Sequence, residues 1–238
     1  MNFGIIAAGE GSRLVSEGVA LPKPLVNLNG EPMIGRLLRI FESLGAGRVA
    51  VIVNEQMTEV ADYLRDLAPK LAMPLDLTVK STPSSMHSFY ELGRFLRDKG
   101  RFIVTTVDTI FRPDDFRRYA EAFAAAPAEV DGMMAVTRYI DDEKPLYVET
   151  SPEMDITAFR DASWPGAEYI SGGIYGLDTS ALRVLDGCLA AGVQRMRNFQ
   201  RALVDNGLRL KAFDMNKIID VDHAGDIRKA EEFLAAAD

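Results

Sequence analysis

Short apolar runs rich in β-branched residues alternate with stretches of helical period through the first half of the chain, which restricts the fold more than any other feature. Val49-Ala50-Val51-Ile52-Val53 is a continuous run of the kind found in strands covered on both faces. The run carrying Ile5 and Ile6, and those at 75–79 and 102–107, read the same way. Between them lie helical stretches. In residues 32–44, Met33, Leu37, Leu38, Phe41 and Leu44 share one face, and Gly45 and Gly47 end the pattern. Residues 58–67 and 84–97 also read as helical, the second with Phe89, Leu92, Phe95 and Leu96 facing inward. Residues 113–125 form another, with a proline near the first turn. Such alternation predicts a parallel sheet with right-handed crossovers. Ligands of these sheets bind outside the carboxyl ends of the strands, and Gly9 and Asp108 stand at two such ends.

The second half changes texture. Residues 132–139, 146–150, 156–159 and 169–177 read as strands, followed by helices at 179–191 and 194–206. Short strands at 208–214 and 218–221 precede a last helix at 224–237. There is no internal repeat or linker-like tract, and Pro152 and Pro165 mark loops. The expected architecture is α/β: a Rossmann-like, mostly parallel sheet with helices on both faces and a small inserted β-rich portion, all in a single domain over residues 1–238.

Composition narrows the function. The chain is 47% hydrophobic and 26% charged, as ordinary globular proteins are. A net charge of −8 argues against sequence-independent nucleic-acid binding, which needs a basic surface. An acidic protein that handles a polyphosphate needs local cations and a bound metal to offset repulsion. No apolar run approaches the length of a membrane span, and no basic stretch precedes the first apolar run as in a signal peptide. Cys188 is the single cysteine, so no internal disulfide is available, and a cytoplasmic location is expected.

After the first strand comes Ala7-Ala8-Gly9-Glu10-Gly11-Ser12-Arg13-Leu14, then Leu21-Pro22-Lys23-Pro24. Small residues and two glycines let the backbone turn sharply and approach a ligand. Exposed N–H groups in such a turn form an anion-binding concavity. Arg13 adds a fork able to span two phosphate oxygens, and Lys23 a mobile point charge. A Rossmann fingerprint would need a third glycine where Leu14 stands, and no Walker A Gly-Lys-Ser/Thr string is present. The remaining alternative is a glycine-rich surface turn with incidental charges.

The stretch resembles the signature of the nucleotidyltransferases that make nucleotide-activated sugars, and of the related choline-phosphate cytidylyltransferases. That signature reads Gly-x-Gly-Ser/Thr-Arg-Leu/Met, a short loop, then Pro-Lys-Pro, and Gly9, Gly11, Ser12, Arg13, Leu14, Pro22, Lys23 and Pro24 match it. The resemblance implies a glycosyltransferase-A-like nucleotidyltransferase fold and transfer of a nucleotidyl group from an NTP to a phosphorylated acceptor, most naturally a sugar 1-phosphate, with pyrophosphate released. It implies Mg²⁺ as cofactor, and NTP and acceptor as partners without nucleic acid or membrane insertion. Arg13 and Lys23 would be catalytic, with Ala7, Ala8, Gly9, Gly11, Ser12 and Ser85 holding the nucleotide.

Asp108 stands where this family keeps its first metal carboxylate, although Val107 replaces the more common glycine before it. Ile219-Asp220-Val221-Asp222-His223 resembles the family's late Asp-Val-Asp-Thr segment, making Asp222 and Asp220 the other metal candidates. Strand alternation would put both on one face, while Asp222 could instead cap the last helix. Asp226 reads as compensation of that helix's dipole. Residues 82–88 lie where the family has a hydroxyl-rich loop near the nucleobase, with N-capping by Ser84 or Ser85 as the other reading. Glu168 and Gly173, in and before a Gly-Gly-Ile-Tyr strand, and Arg160, in place of the family's Glu-Lys-Pro, are the acceptor-binding candidates.

Two other functions are compatible with the residues. One is a choline-phosphate-type cytidylyltransferase with an aromatic box drawn from Trp164, Tyr169 or Tyr175. The other is a non-catalytic nucleotide-binding regulator, disfavoured by the presence of both metal carboxylates.

Overall fold

The computed structural model describes residues 1–97 and 100–236. Along the chain, β1 (Asn2–Ala7) leads through α1 (Ser12–Ser16) and one 3-10 turn (Lys23–Leu25) to the ribbon β2 (Asn27–Leu28) and β3 (Glu31–Pro32), then α2 (Met33–Ser43). Next come β4 (Arg48–Val53), α3 (Thr58–Leu67), β5 (Leu75–Val79), α4 (Ser85–Leu96), β6 (Phe102–Thr106), β7 (Thr109–Ile110) and α5 (Pro113–Ala125). The second half contains β8 (Gly132–Thr137), β9 (Tyr147–Thr150), β10 (Ile156–Arg160), β11 (Tyr169–Leu177), α6 (Thr179–Ala190) and α7 (Met196–Asp205). It closes with β12 (Leu210–Asp214), β13 (Ile219–Asp220) and α8 (Ala224–Ala235). Ala237, where the last helix was expected to end, lies outside the described residues.

β1 is the axis of the main sheet, parallel to β4 on one side and β6 on the other, with β5 parallel beyond β4. β11 then runs antiparallel to β6 and passes the sheet on to β8 and β9, while β10 closes that edge and β12 pairs with β8. β8 to β11 thus form an antiparallel extension of the same sheet, with β12 parallel to β8 at its edge and β13 paired with β7 in a ribbon of its own. Four short elements had no sequence counterpart: α1, β2, β3 and β7. Each has five residues or fewer, too short for a periodicity to declare itself.

Alternation along β1 sends Phe3, Ile5 and Ala7 to one face and Ile6 to the other. On the first face α2, α3, α5 and α8 bury their apolar stripes, and Phe3 stacks on Phe41 at 4.3 Å with Phe116 5.4 Å beyond Phe41. On the second, α4, α6 and α7 pack together, with Phe89 meeting Phe199 edge-on at 5.5 Å. Both faces of the parallel strands are therefore covered, which is why those strands read as unbroken apolar runs.

Candidate active site

The loop after β1 turns at Gly11, whose φ of 61° lies in the left-handed region that opens α1. A Cβ at Gly11 would fall 2.9 Å from Cβ of Lys23, so the loop and the lysine stem are in direct contact. Pro22 and Pro24 flank Lys23 in its 3-10 turn and restrict its backbone, and only 9% of the lysine surface reaches solvent. On the opposite side, Asp108 occupies the turn after β6. Val107 N–H donates to the Ile6 carbonyl at 3.1 Å, and Val221 N–H donates to the Asp108 carbonyl at 3.1 Å. With the β7–β13 pairing, which sets Asp220 opposite Thr109, these bonds bring the segment ending at Asp222 beside Asp108.

Lys23 Nζ lies 2.5 Å from Asp108 Oδ2 and 2.6 Å from Asp222 Oδ1. Arg13 Nη1 donates to the other Asp222 oxygen at 2.9 Å. Burial works against the charge on Lys23, but Asp108 and then Asp222 outweigh it and hold the pKa above the ordinary lysine range. Asp220 accepts a long 3.4 Å bond from Thr109 Oγ1. Its carboxylate is open to solvent, yet it sits on a concave floor crowded by protein and by Asp108, Asp222 and Asp142. Enclosure first, and those charges second, push its pKa up. Among the described residues no three His, Cys, Asp or Glu side chains converge as a metal cage. Asp222 does not cap α8. His223 is the N-cap, and Asp226 accepts its N–H at 2.9 Å in a capping box.

Two adjoining cavities meet at the Asp108–Asp222 pair. The larger, about 700 Å³, is walled by Ala8, Gly9, Gly11, Ser12, Arg13 and Lys23 on one side and by Thr82, Ser84 and Ser85 on the other. The smaller, about 290 Å³, is lined by Ser85, Gly173, Tyr175, Arg195, Gln200 and Asp220 among others. Ala7 directs its methyl into the core and is 1% exposed, so its side chain is absent from the cavity wall. His87 Nδ1 is bonded to Ser84 Oγ at 2.9 Å.

Arg160 and Glu168 are not among the residues lining either cavity. Arg160 is on the edge strand β10, turned outward to Glu149 at 2.6 Å and over the Trp164 ring, while Glu168 pairs with Arg138 at 3.1 Å. Nor do the three aromatic candidates form a box: Trp164 packs edge-on against Tyr147, Tyr169 is bonded to Arg138, and Tyr175 alone faces the cavity. Gly173 does line it, at φ 72°, where a Cβ would meet Thr109 Oγ1 at 2.5 Å.

Sequence reasoning missed Arg195 and Gln200. Arg195 holds φ 73°, a strained conformation for a residue with a side chain, at the N-cap of α7. Gln200 is 3% exposed and accepts from Ser171 Oγ at 2.9 Å. Their segment reads only as an amphipathic helix, and a glutamine within its buried face was the one available signal.

A glycine loop at the carboxyl end of a central strand, flanked by Arg13 and Lys23 and facing the Asp108–Asp222 pair, is set in a chain of the nucleotidyltransferase class. The chain belongs to the MobA-like NTP transferase domain family, whose profile matches residues 4–165. It is 25% identical over 208 residues to the bifunctional protein GlmU of Methanococcus maripaludis, an alignment covering 85% of this chain and 47% of that protein. It is 29% identical over 114 residues, 46% of each chain, to the 2-aminoethylphosphonate cytidylyltransferase of Lancefieldella rimae. The chain spans about half the length of these curated relatives. Its fold matches the inositol-1-phosphate CTP transferase of T. maritima with a TM-score of 0.77 and 18% identity, over 99% of this chain and 98% of that one.

Proposed function

We propose that the protein transfers a nucleotidyl group from an NTP to a phosphorylated acceptor, a sugar 1-phosphate, releasing pyrophosphate. The observation that carries this reading is the convergence of Arg13 and Lys23 with Asp108 and Asp222 at the mouth of the glycine loop. In this reading the N–H groups of residues 8–11 and the Ser12 hydroxyl hold the triphosphate. An acceptor phosphate oxygen, seated in the smaller cavity, attacks the α-phosphorus in line as the bond to the β-phosphate bridging oxygen breaks. Arg13 and Lys23 offset the charge that builds on the α-phosphate and on the leaving pyrophosphate. The acceptor oxygen is already anionic, so no general base is required, and positioning and charge supply the rate.

Asp108 and Asp222 are suited to Mg²⁺: their carboxylates are close enough to share the Lys23 ammonium, and Mg²⁺ is commonly held by one or two carboxylates with phosphates and water completing the shell. Bound there, the ion would supply Lewis-acid neutralisation of the phosphates.

A second acceptor class has an observation of its own. Asp142 lines the smaller cavity and has no ion-pair partner among the described residues, which favours an acceptor bearing an amino or quaternary ammonium group. The relative that acts on 2-aminoethylphosphonate supports the same class. A pyrophosphate-release screen of four NTPs against sugar 1-phosphates, inositol phosphate, choline phosphate and 2-aminoethylphosphonate tests both. Release with any acceptor establishes the transfer and the pattern selects the class. No release from any combination, with NTP binding intact, sinks the catalytic reading.

A further inference from the structure

We propose that Lys23 keeps the carboxylate pair closed to divalent cations until a nucleotide arrives, so that the cation enters with the NTP and not before it. This rests on the assignment of Asp108 and Asp222 as metal ligands. The Lys23 ammonium touches Asp108 Oδ2 at 2.5 Å and Asp222 Oδ1 at 2.6 Å, so a small cation bound through the same two oxygens would stand where the nitrogen now stands. Ammonium and divalent cation are alternative occupants.

Direct contact favours the ammonium before a nucleotide binds. Arg13 holds the second Asp222 oxygen at 2.9 Å, so each oxygen of that carboxylate already faces a basic group that an incoming cation would have to displace. The Asp222 backbone N–H is engaged as well, donating to Asp226 Oδ2 at 3.3 Å. An incoming triphosphate reverses the balance, because it carries several negative charges to the loop and competes for Lys23 and Arg13. Once they turn to phosphate, the carboxylates are left bare and the phosphates themselves supply further oxygen ligands.

The route for the lysine is short. Its stem lies along Gly11, where a Cβ would meet Lys23 Cβ, Cδ and Cγ at 2.9, 3.7 and 3.8 Å. Side-chain rotation with the backbone fixed by Pro22 and Pro24 therefore carries the ammonium from the carboxylates to the glycine loop.

Mn²⁺ serves as the probe, with the free ion read by electron paramagnetic resonance on the full chain. Without nucleotide, Lys23→Met should bind Mn²⁺ at least ~10-fold more tightly than wild type, since removing a competing cation at contact distance is worth an order of magnitude or more. Adding Asp222→Asn to that variant should erase the gain. An α,β-methylene NTP analogue should raise wild-type Mn²⁺ affinity far more than that of Lys23→Met. Lys23→Gln serves as the second variant should the methionine disturb the fold. In wild type, the ζ-nitrogen resonance of Lys23 should shift with the analogue alone, before metal is added. If Lys23→Met and Lys23→Gln bind Mn²⁺ no better than wild type while Asp222→Asn weakens binding in the nucleotide complex, the metal site stands and the lysine gate is overturned. If neither Asp108→Asn nor Asp222→Asn changes Mn²⁺ binding in that complex, the metal assignment fails and takes the gate with it, leaving nucleotidyl transfer to the pyrophosphate screen.

Discussion

Gly11 and Lys23 act as one unit, because the glycine's missing side chain is the space into which the lysine stem packs. Gly11→Ala therefore imposes two penalties: a left-handed φ of 61° on a residue with a Cβ, and a 2.9 Å clash with Lys23. The backbone penalty alone is roughly 1–2 kcal/mol. Thermal denaturation should register it, and KM for NTP should rise because the loop shifts; unchanged stability and KM would contradict the contact. Lys23→Ala and Arg13→Ala test the charges directly. Each should leave a folded protein with turnover lowered by ~10²–10³, the usual cost of one preorganised charge contact. Full activity of both variants at saturating NTP would remove them from the catalytic machinery.

Among the elements, those with a period were readable and those without were not. β5, α3, α5 and β11 match the expected bounds because each carries an apolar run or stripe with turn residues at its ends. Gly172 and Gly173 within β11 read as a bulge or close approach, and the register against β8 does shift between Ser171 and Tyr175. β13 was legible within residues 218–221 but its partner β7 was not, although together they bring Asp108 and Asp222 close, since such pairing is fixed by contacts a hundred residues apart in the chain. The glycine loop was legible because its chemistry is local. The smaller cavity was not, since β11, α4 and α7 supply its wall from separate places, and a basic residue on a strand, Arg160, was a poor guide to which arginine faces inward. A remote element provides a control. Asp178 caps α6 by accepting the Ser180 N–H at 2.7 Å, so Asp178→Ala should cost about 1 kcal/mol in chemical denaturation while leaving kcat intact.

For the whole molecule, the early and late segments are joined by ionisable groups. His223 Nδ1 meets Glu17 Oε1 at 2.6 Å, and the Ala224 N–H also donates to Glu17 at 2.6 Å. The bond to Glu17 raises the His223 pKa above its usual 6.5, and the same bond lowers the Glu17 carboxyl below 4.5. Stability from the histidine is fully present below 6.5 and lost as pH rises through the raised value; that from the glutamate is present above 4.5 and lost as pH falls through the lowered one. Both groups are exposed, so salt should weaken the effect. Denaturation midpoints of wild type and His223→Gln should therefore differ most between these limits and converge at higher pH. Parallel curves across the range would rule the pair out as a source of pH dependence.

The contact between Lys23 and Asp222 spans 199 residues, which gives it a consequence in time as well as in space. On a ribosome adding about 5–20 residues per second, the lysine emerges roughly 10–40 s before its second carboxylate exists. Through that interval a nascent chain can assemble the parallel strands around β1 and pair Lys23 with Asp108 alone. The half-built centre then has Asp108 for the ammonium and Glu143, at 4.0 Å, for the arginine, but not the carboxylate that the two cations share. Only when Asp222 is added, just after the last strand, are Arg13 and Lys23 tied to each other through one carboxylate.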